Sequence, residues 1–315
     1  MTERGRPVRV GVVGVGHVGR HHARILAGLQ GAELVAVADT DVDRARTVAA
    51  ETGGRAETEA AALLSGIEAV TIAVPTEAHA GVARLFLERG IPVLVEKPIA
   101  ASLEEADDMI ALAARTGAIL AVGHTERYNP AVTAALPLVT APRFIEVHRL
   151  AEFPARSLDI DVVYDVMIHD LDVVLALVGE EPVSVEAIGV PVLTDRVDIA
   201  NARLRFADGC LANLTASRIS RERVRKVRVF QHEAYIAIDC ASQQVEAFRV
   251  RRGAGLETTI EGGRVEVPEA EPLALELDDF VRAVRNGGVP GVDGAAGRRA
   301  LALAQRINDA METAG

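Results

Sequence analysis

The chain has 315 residues, 49% of them hydrophobic, and carries 34 Lys and Arg against 45 Asp and Glu, a formal net charge of -11. That length suits two domains with real cores, and that hydrophobic share excludes disorder as the main theme. The acidic balance argues against nucleic acid or an anionic membrane surface as the main partner, and no apolar run approaches the ~18–20 residues of a membrane span.

Two cysteines, Cys210 and Cys240, lack a C-x-x-C spacing, which argues against structural zinc. They read as buried free thiols in a reducing, cytoplasmic setting. The charged, then apolar N-terminus lacks a small-residue cleavage site, and its glycines fit another purpose than secretion.

The first 123 residues alternate strand and helix signals. Strands are predicted at Val8–Val13, Leu34–Ala38, Ala69–Val74, Val93–Val95 and Ile119–Val122. Helices are predicted between them at His17–Leu29, Arg44–Glu51, Ala78–Glu88 and Leu103–Thr116. Continuous apolar strands between amphipathic helices predict a parallel sheet covered on both faces, a doubly wound α/β domain over residues 1–123.

After Gly123 the strands lengthen and alternate: Arg143–Arg149, Val183–Ile188, Asp198–Phe206, Cys210–Ser217, Arg223–Gln231 and Ala234–Asp239. They predict an α+β domain over 124–315 on a mostly antiparallel sheet. A helix, Asp165–Val178, sits between the first two strands, and helices near Pro272–Arg285 and Gly294–Met311 close the chain, with the option of packing back on the first domain.

Three motifs carry chemistry. The string VGVVGVGHVGR over Val10–Arg20 places Gly14-x-Gly16-x-x-Gly19 where a strand meets a helix. Gly14 suits the tight turn, Gly16 the approach of a pyrophosphate to the backbone, and Gly19 close helix–strand packing. His17 and Val18 fall at the phosphate-facing start of that helix. Asp39 closes the second strand 20 residues after Gly19, suited to a ribose 2′-hydroxyl. A carboxylate there favours NAD over NADP, although Arg44 and Arg46 lie nearby.

Two more strand ends reach the carboxyl edge of the sheet, where ligands of such folds bind. One carries Val74-Pro75-Thr76, with His79 just beyond, and the other Glu96-Lys97-Pro98. Pro75, Thr76, His79, Glu96 and Lys97 are therefore assigned to the cofactor. Finally, VVYDVMIHDLDVVLALVG over Val162–Gly179 places Asp165, His169 and Asp172 at i, i+4 and i+7, predicting one polar helical face. Three ligands from one helix without a second cluster make a metal site unpersuasive, so none is expected.

The glycine fingerprint, V-P-T, E-K-P and the D-x-x-x-H helix, in this order, resemble the Gfo/Idh/MocA family of NAD(P)-dependent sugar and cyclitol oxidoreductases. The resemblance spans nearly the whole chain, including PLALELDDFVRAVRNG and GRRALALAQRI. It implies Lys97, Asp165 and His169 as catalytic residues. His169 would take the hydroxyl proton, Lys97 stabilise the same oxygen, and Asp165 orient the imidazole or bind a neighbouring hydroxyl. Met167 stands where family members commonly have glycine.

The loop GHTERYNP offers Arg127, Tyr128 and Asn129 to a substrate, and RLAEFPARSLDID offers Arg156 and Ser157 to a phosphate or carboxylate. With the helix, these strings resemble the family's nucleotide-sugar branch, implying oxidation of the 3-hydroxyl of a UDP-N-acetylhexosamine. The alternatives are a dehydrogenase of a free sugar, inositol or amino-sugar acid, and a non-catalytic NAD- or sugar-sensing regulator. The alternating strand within SRISRERVRKVRVF points to a subunit contact or a phosphate-facing strand, and the pairing of apolar sheet faces across a two-fold axis predicts a homodimer or homotetramer.

Overall fold

The computed structural model describes residues 6–153, 160–252 and 258–313. It divides into two units: Met1–His124 with Glu271–Arg298, and Thr125–Ala270 with Arg299–Gly315.

The first unit runs β1 (Val8–Val13), α1 (Gly19–Gly28), β2 (Ala32–Ala38), α2 (Val42–Thr52), β3 (Arg55–Glu57), β4 (Ala69–Ile72), α3 (His79–Leu87), β5 (Val93–Glu96), α4 (Leu103–Thr116) and β6 (Leu120–Gly123). The strands form one sheet in the order β3-β2-β1-β4-β5-β6, every pair parallel. Helix starts are capped locally: the Asp41 carboxylate accepts the N–H groups of Asp43 and Arg44, and the Ser102 hydroxyl that of Glu105. The order reverses between β1 and β4, so a crevice at their carboxyl ends follows from the topology.

The second unit opens with α5 (Pro130–Ala135) and β7 (Pro142–Leu150). One π-helical turn, Val163–Met167, then leads directly into α6 (Ile168–Val178). There follow β8 (Ser184–Val190), β9 (Ile199–Arg205), β10 (Leu211–Ser217), β11 (Val224–Gln231), β12 (Ala234–Asp239), β13 (Gln244–Arg252) and β14 (Thr258–Val265). These strands form one sheet, β14-β13-β12-β11-β7-β10-β9-β8, antiparallel except for the β7–β10 pair.

Two closing helices are α7 (Pro272–Asn286) and α8 (Gly294–Thr313). Helix α7 belongs to the first unit, where Leu277, Phe280 and Val281 pack with Val10, Val12 and Leu26. In the second unit, Leu171, Val174 and Leu175 of α6 bury against sheet residues such as Val147, Ala202, Leu214 and Val229. Leu303, Ala304 and Ile307 of α8 join that cluster.

Charge is buried in this second core, and it is paired. Arg149 of β7 forks onto Asp170 of α6, with Nε and Nη2 each 2.7 Å from a carboxylate oxygen. Its Nη2 also lies 2.7 Å from Glu126. Burial alone would lower the pKa of this guanidinium, but Asp170 and Glu126 outweigh it and raise it. Arg127 forks in the same way onto Asp172, at 3.0 and 2.7 Å.

Asp172 is therefore not part of an outward polar face with Asp165 and His169, as the helical spacing predicted. It is 1% exposed. The π turn Val163–Met167, which holds Asp165, breaks the regular 3.6-residue phase ahead of His169, and the Arg127 fork holds Asp172 inward.

Replacing Asp170 with alanine leaves the Arg149 charge buried without its fork, a change expected to cost about 3–5 kcal/mol. The exposed pair Arg228–Glu146 provides the control: Arg228→Ala should cost under about 1 kcal/mol. Urea denaturation of the two variants side by side measures the difference.

Candidate cofactor and catalytic site

At the end of β1 the backbone turns sharply. Gly14 has φ +81°, its N–H donates to Ala38 O at 2.8 Å, and a Cβ there would lie 2.7 Å from Ala73 O. A Cβ on Gly19 would lie 1.8 Å from Gly14 O, so only glycine lets α1 start this close to the strand. Around Gly16 the space is open, and a Cβ would meet no atom within 4 Å.

Val18 precedes α1 without a side-chain cap, and the first helical turn holds no acidic residue. The positive end of the helix dipole thus faces that space, with His17 and Val18 exposed beside it. Asp39 is buried at the end of β2, where it accepts the Val15 and Asp41 N–H groups, each at 2.9 Å. Arg44 reaches the same carboxylate at 3.2 Å and also pairs with Asp41. An uncapped helix start, an open glycine and a fixed carboxylate at the second strand fit a dinucleotide.

The V-P-T end of β4 leaves Pro75 exposed and Thr76 half-buried, whereas His79 is turned inward and 1% exposed. Its Nδ1 lies 2.9 Å from Pro98 O and its Nε2 3.0 Å from Val74 O. Burial lowers its pKa, against the two carbonyls and the nearby carboxylates of Glu96 and Glu77. Both ring nitrogens of His79, assigned from sequence to the cofactor, thus face the protein's own backbone.

Glu96 has a similar commitment. Its Oε1 lies 3.1 Å from His22 Nε2, its Oε2 accepts the Lys97 N–H at 3.3 Å, and its side chain is 13% exposed. Burial pushes its carboxyl up, but His22 and the Lys97 charge outweigh this and hold it below the usual range. Lys97 is half-buried, and its bond to Pro98 is cis.

In the second unit, Asp165 lies within the π turn and His169 at the start of α6, both half-buried. Met167 between them is fully buried in the core. The approach to this turn is anchored by groups absent from the sequence reading. Asp198 accepts the N–H groups of Val192, Leu193 and Thr194 at 2.9, 2.7 and 2.9 Å, and the guanidinium of Arg218 at 2.9 Å.

Arg218 Nη1 donates to Ile160 O at 2.6 Å, and Val197 exchanges backbone and side-chain bonds with Asp161 and Val162, each at 2.9 Å. Asp198 and Arg218 carry no motif, so only their tertiary pairing reveals them.

Of the residues expected at the substrate, Arg127 is engaged by Asp172. Asn129 caps α5 through the Ala131 N–H and donates to Glu126 and to Cys240 O. Tyr128 is half-buried on the 3-10 turn Thr125–Tyr128. Arg156 and Ser157 lie outside the described residues. Among the described residues, no group of three or more His, Cys, Asp or Glu is placed to hold a metal ion. Among the described residues, no helix is long and apolar enough to cross a membrane.

These features define a dinucleotide-binding oxidoreductase fold, an N-terminal Rossmann unit joined to an α+β unit on a large open sheet. Residues 8–124 match the NAD-binding Rossmann domain of the Gfo/Idh/MocA oxidoreductases, and residues 146–237 match a C-terminal domain of the same family. The chain belongs to the Gfo/Idh/MocA family of NAD-binding oxidoreductases.

It is 41% identical to UDP-N-acetylglucosamine 3-dehydrogenase of Acidithiobacillus ferrooxidans over 97% of each chain. A solved structure of that enzyme superposes with a TM-score of 0.91, at 40% identity over 97% of this chain and 98% of the other. Inositol 2-dehydrogenase of Rhizobium meliloti is 29% identical over 94% of each chain.

The anchor at Asp198 sets a pH dependence. Burial raises its pKa, but three backbone N–H groups and Arg218 outweigh burial and hold it well below the usual carboxylate range. A lowered folded pKa stabilises the fold fully above the unfolded value of about 3.9, and that stabilisation is lost as pH falls toward the folded value. Asp198→Asn should therefore be less stable than the parent at neutral pH. Its unfolding free energy should also decline less steeply below about pH 4, read from denaturation curves across that range.

Proposed function

We propose that this protein oxidises the 3-hydroxyl of a UDP-linked N-acetylhexosamine, UDP-N-acetylglucosamine in the first instance, to a ketone. The observation that carries the reading is the end-to-end likeness to a UDP-N-acetylglucosamine 3-dehydrogenase, at 41% identity. The glycine turn at Gly14, Gly16 and Gly19 would hold the NAD pyrophosphate and Asp39 the ribose, with His17, Val18, Pro75 and Thr76 beside them.

Bound NAD supplies the acceptor for the hydride that leaves the alcohol carbon. Lys97 hydrogen-bonds the hydroxyl oxygen and stabilises its growing negative charge. His169 takes the hydroxyl proton as general base. Asp165 orients the imidazole or binds an adjacent hydroxyl, while Tyr128, Arg156 and Ser157 contact the rest of the substrate. A cytoplasmic location belongs to the same reading, supported by two buried free thiols.

Nicotinamide reduction by the purified protein, given NAD and a panel of UDP-sugars and inositols, tests the proposal. UDP-N-acetylglucosamine should be oxidised. Lys97→Ala and His169→Ala should each lower kcat/KM by about 10²–10⁴ while NAD binding persists in calorimetry. Turnover of inositols with silence on UDP-sugars would move the assignment to the cyclitol dehydrogenases, which the Rhizobium relative favours.

The open sheet supports a second part of the reading, a homodimer or homotetramer. On its outer face Phe144, Phe230, Tyr235 and Phe248 form a row across four adjacent strands, with ring centroids 5.7, 5.0 and 6.4 Å apart. Such a row is better covered than solvated, and a second copy of the chain is the proposed cover. Sedimentation should give an even-numbered oligomer, and Phe230→Glu with Tyr235→Glu should shift it to the monomer. A monomeric parent protein would end this part of the reading.

A further inference from the structure

Both neighbours of Lys97 in the chain are held by buried histidines from different helices. His22 of α1 is fully buried and meets the Glu96 carboxylate at 3.1 Å. Its Nδ1 has no hydrogen-bond partner, so the tautomer with its proton on Nε2 is the one that makes this bond. His79 at the start of α3 meets Pro98 O at 2.9 Å and Val74 O at 3.0 Å, spanning the E-K-P and V-P-T turns.

Between these supports, Glu96 returns its second oxygen to the Lys97 N–H at 3.3 Å. The carboxylate also lies directly over Gly123, its partner across β5–β6, where a Cβ would come within 2.7 Å of Oε1. Glycine at 123 makes room for the carboxylate.

We infer that Glu96, His22 and His79 are positioning residues for Lys97, fixing the residues on either side of it so that its ammonium is delivered in one place with a buried anion beside it. This rests on the proposed role of Lys97 as the group that polarises the hydroxyl. It assigns Glu96 and His79 to supporting that lysine, and it gives His22 a purpose that no motif suggested.

A side chain four bonds long gains little from a fixed neighbour unless its own backbone is fixed. The turn is braced at both sides by groups that water does not reach, so its position is set by packing and hydrogen bonds together. The carboxylate adds a second effect, because the Lys97 charge helps hold the Glu96 carboxyl below its usual range, and the two charges are thereby coupled.

The test compares Glu96→Gln, which keeps the shape and removes the charge, with Gly123→Ala, which keeps the charge and pushes the carboxylate aside. Lys97→Ala runs beside them, all assayed with NAD and UDP-N-acetylglucosamine across pH. Both variants should lose about 10–100-fold in kcat with KM for the sugar and NAD affinity nearly unchanged.

In Glu96→Gln the alkaline limb of kcat should also move to lower pH, whereas in Gly123→Ala it should move less. A purely structural role would not produce that contrast. If Glu96→Gln fails to fold, as judged by thermal unfolding, the Gly123→Ala kinetics decide alone.

Parent-like kcat and pH profile in Glu96→Gln, with Lys97→Ala inactive, would overturn the inference and leave the role of Lys97 intact. A deficit confined to NAD affinity would overturn it too, returning Glu96 to the cofactor. Full activity in Lys97→Ala would instead defeat the proposed chemistry.

Discussion

A carboxylate carried into a protein core must be matched there, because its desolvation costs more than any packing returns. That requirement organises both units of this protein. Asp39 is matched by two backbone N–H groups and Arg44, and Glu96 by His22 and the Lys97 N–H. Asp170, Asp172 and Asp198 are each matched by an arginine. Each match ties one segment of its unit to another, so the pairing of charge and the packing of the elements are one arrangement.

The consequence is clearest along the helix that bears Asp165 and His169. Four acidic or basic residues fall within eight positions there, and the structure divides them two and two. Asp170 and Asp172 turn into the core and meet Arg149 and Arg127. Asp165 and His169 stay half-buried, the state in which a group can both be held and reach a ligand. The π turn that holds Asp165 and runs into α6 is a local departure from regular helix of the kind that recurs at functional sites.

Much of this was legible in the sequence. The β-branched runs at Val8–Val13 and Ala234–Asp239 and the amphipathic run Leu103–Thr116 came out at their observed bounds. Each is long or apolar enough for one periodicity to dominate. The strands Gln244–Arg252 and Thr258–Val265, the second of them at the sheet's edge, were not anticipated, because their residues are mostly exposed and carry little apolar alternation. Edge strand β3, at three residues, is too short for any pattern.

The family motifs were equally visible, but what several of their residues do was not. Spacing along one helix cannot register a partner 45 residues away, and Arg127 decides the fate of Asp172 from that distance.

A motif string records backbone constraints as well as reacting groups, and these residues show how to separate the two. In the E-K-P turn Glu96 is engaged by His22 and Pro98 by His79. Gly14 and Gly19 are shaped by contacts with the chain itself, whereas Gly16 faces open space. Residues of a motif that the fold has already satisfied explain why the others sit where they do. Chemistry is then to be sought at the other members, and the proposed function places it at Lys97, Asp165 and His169, with the cofactor at the open Gly16.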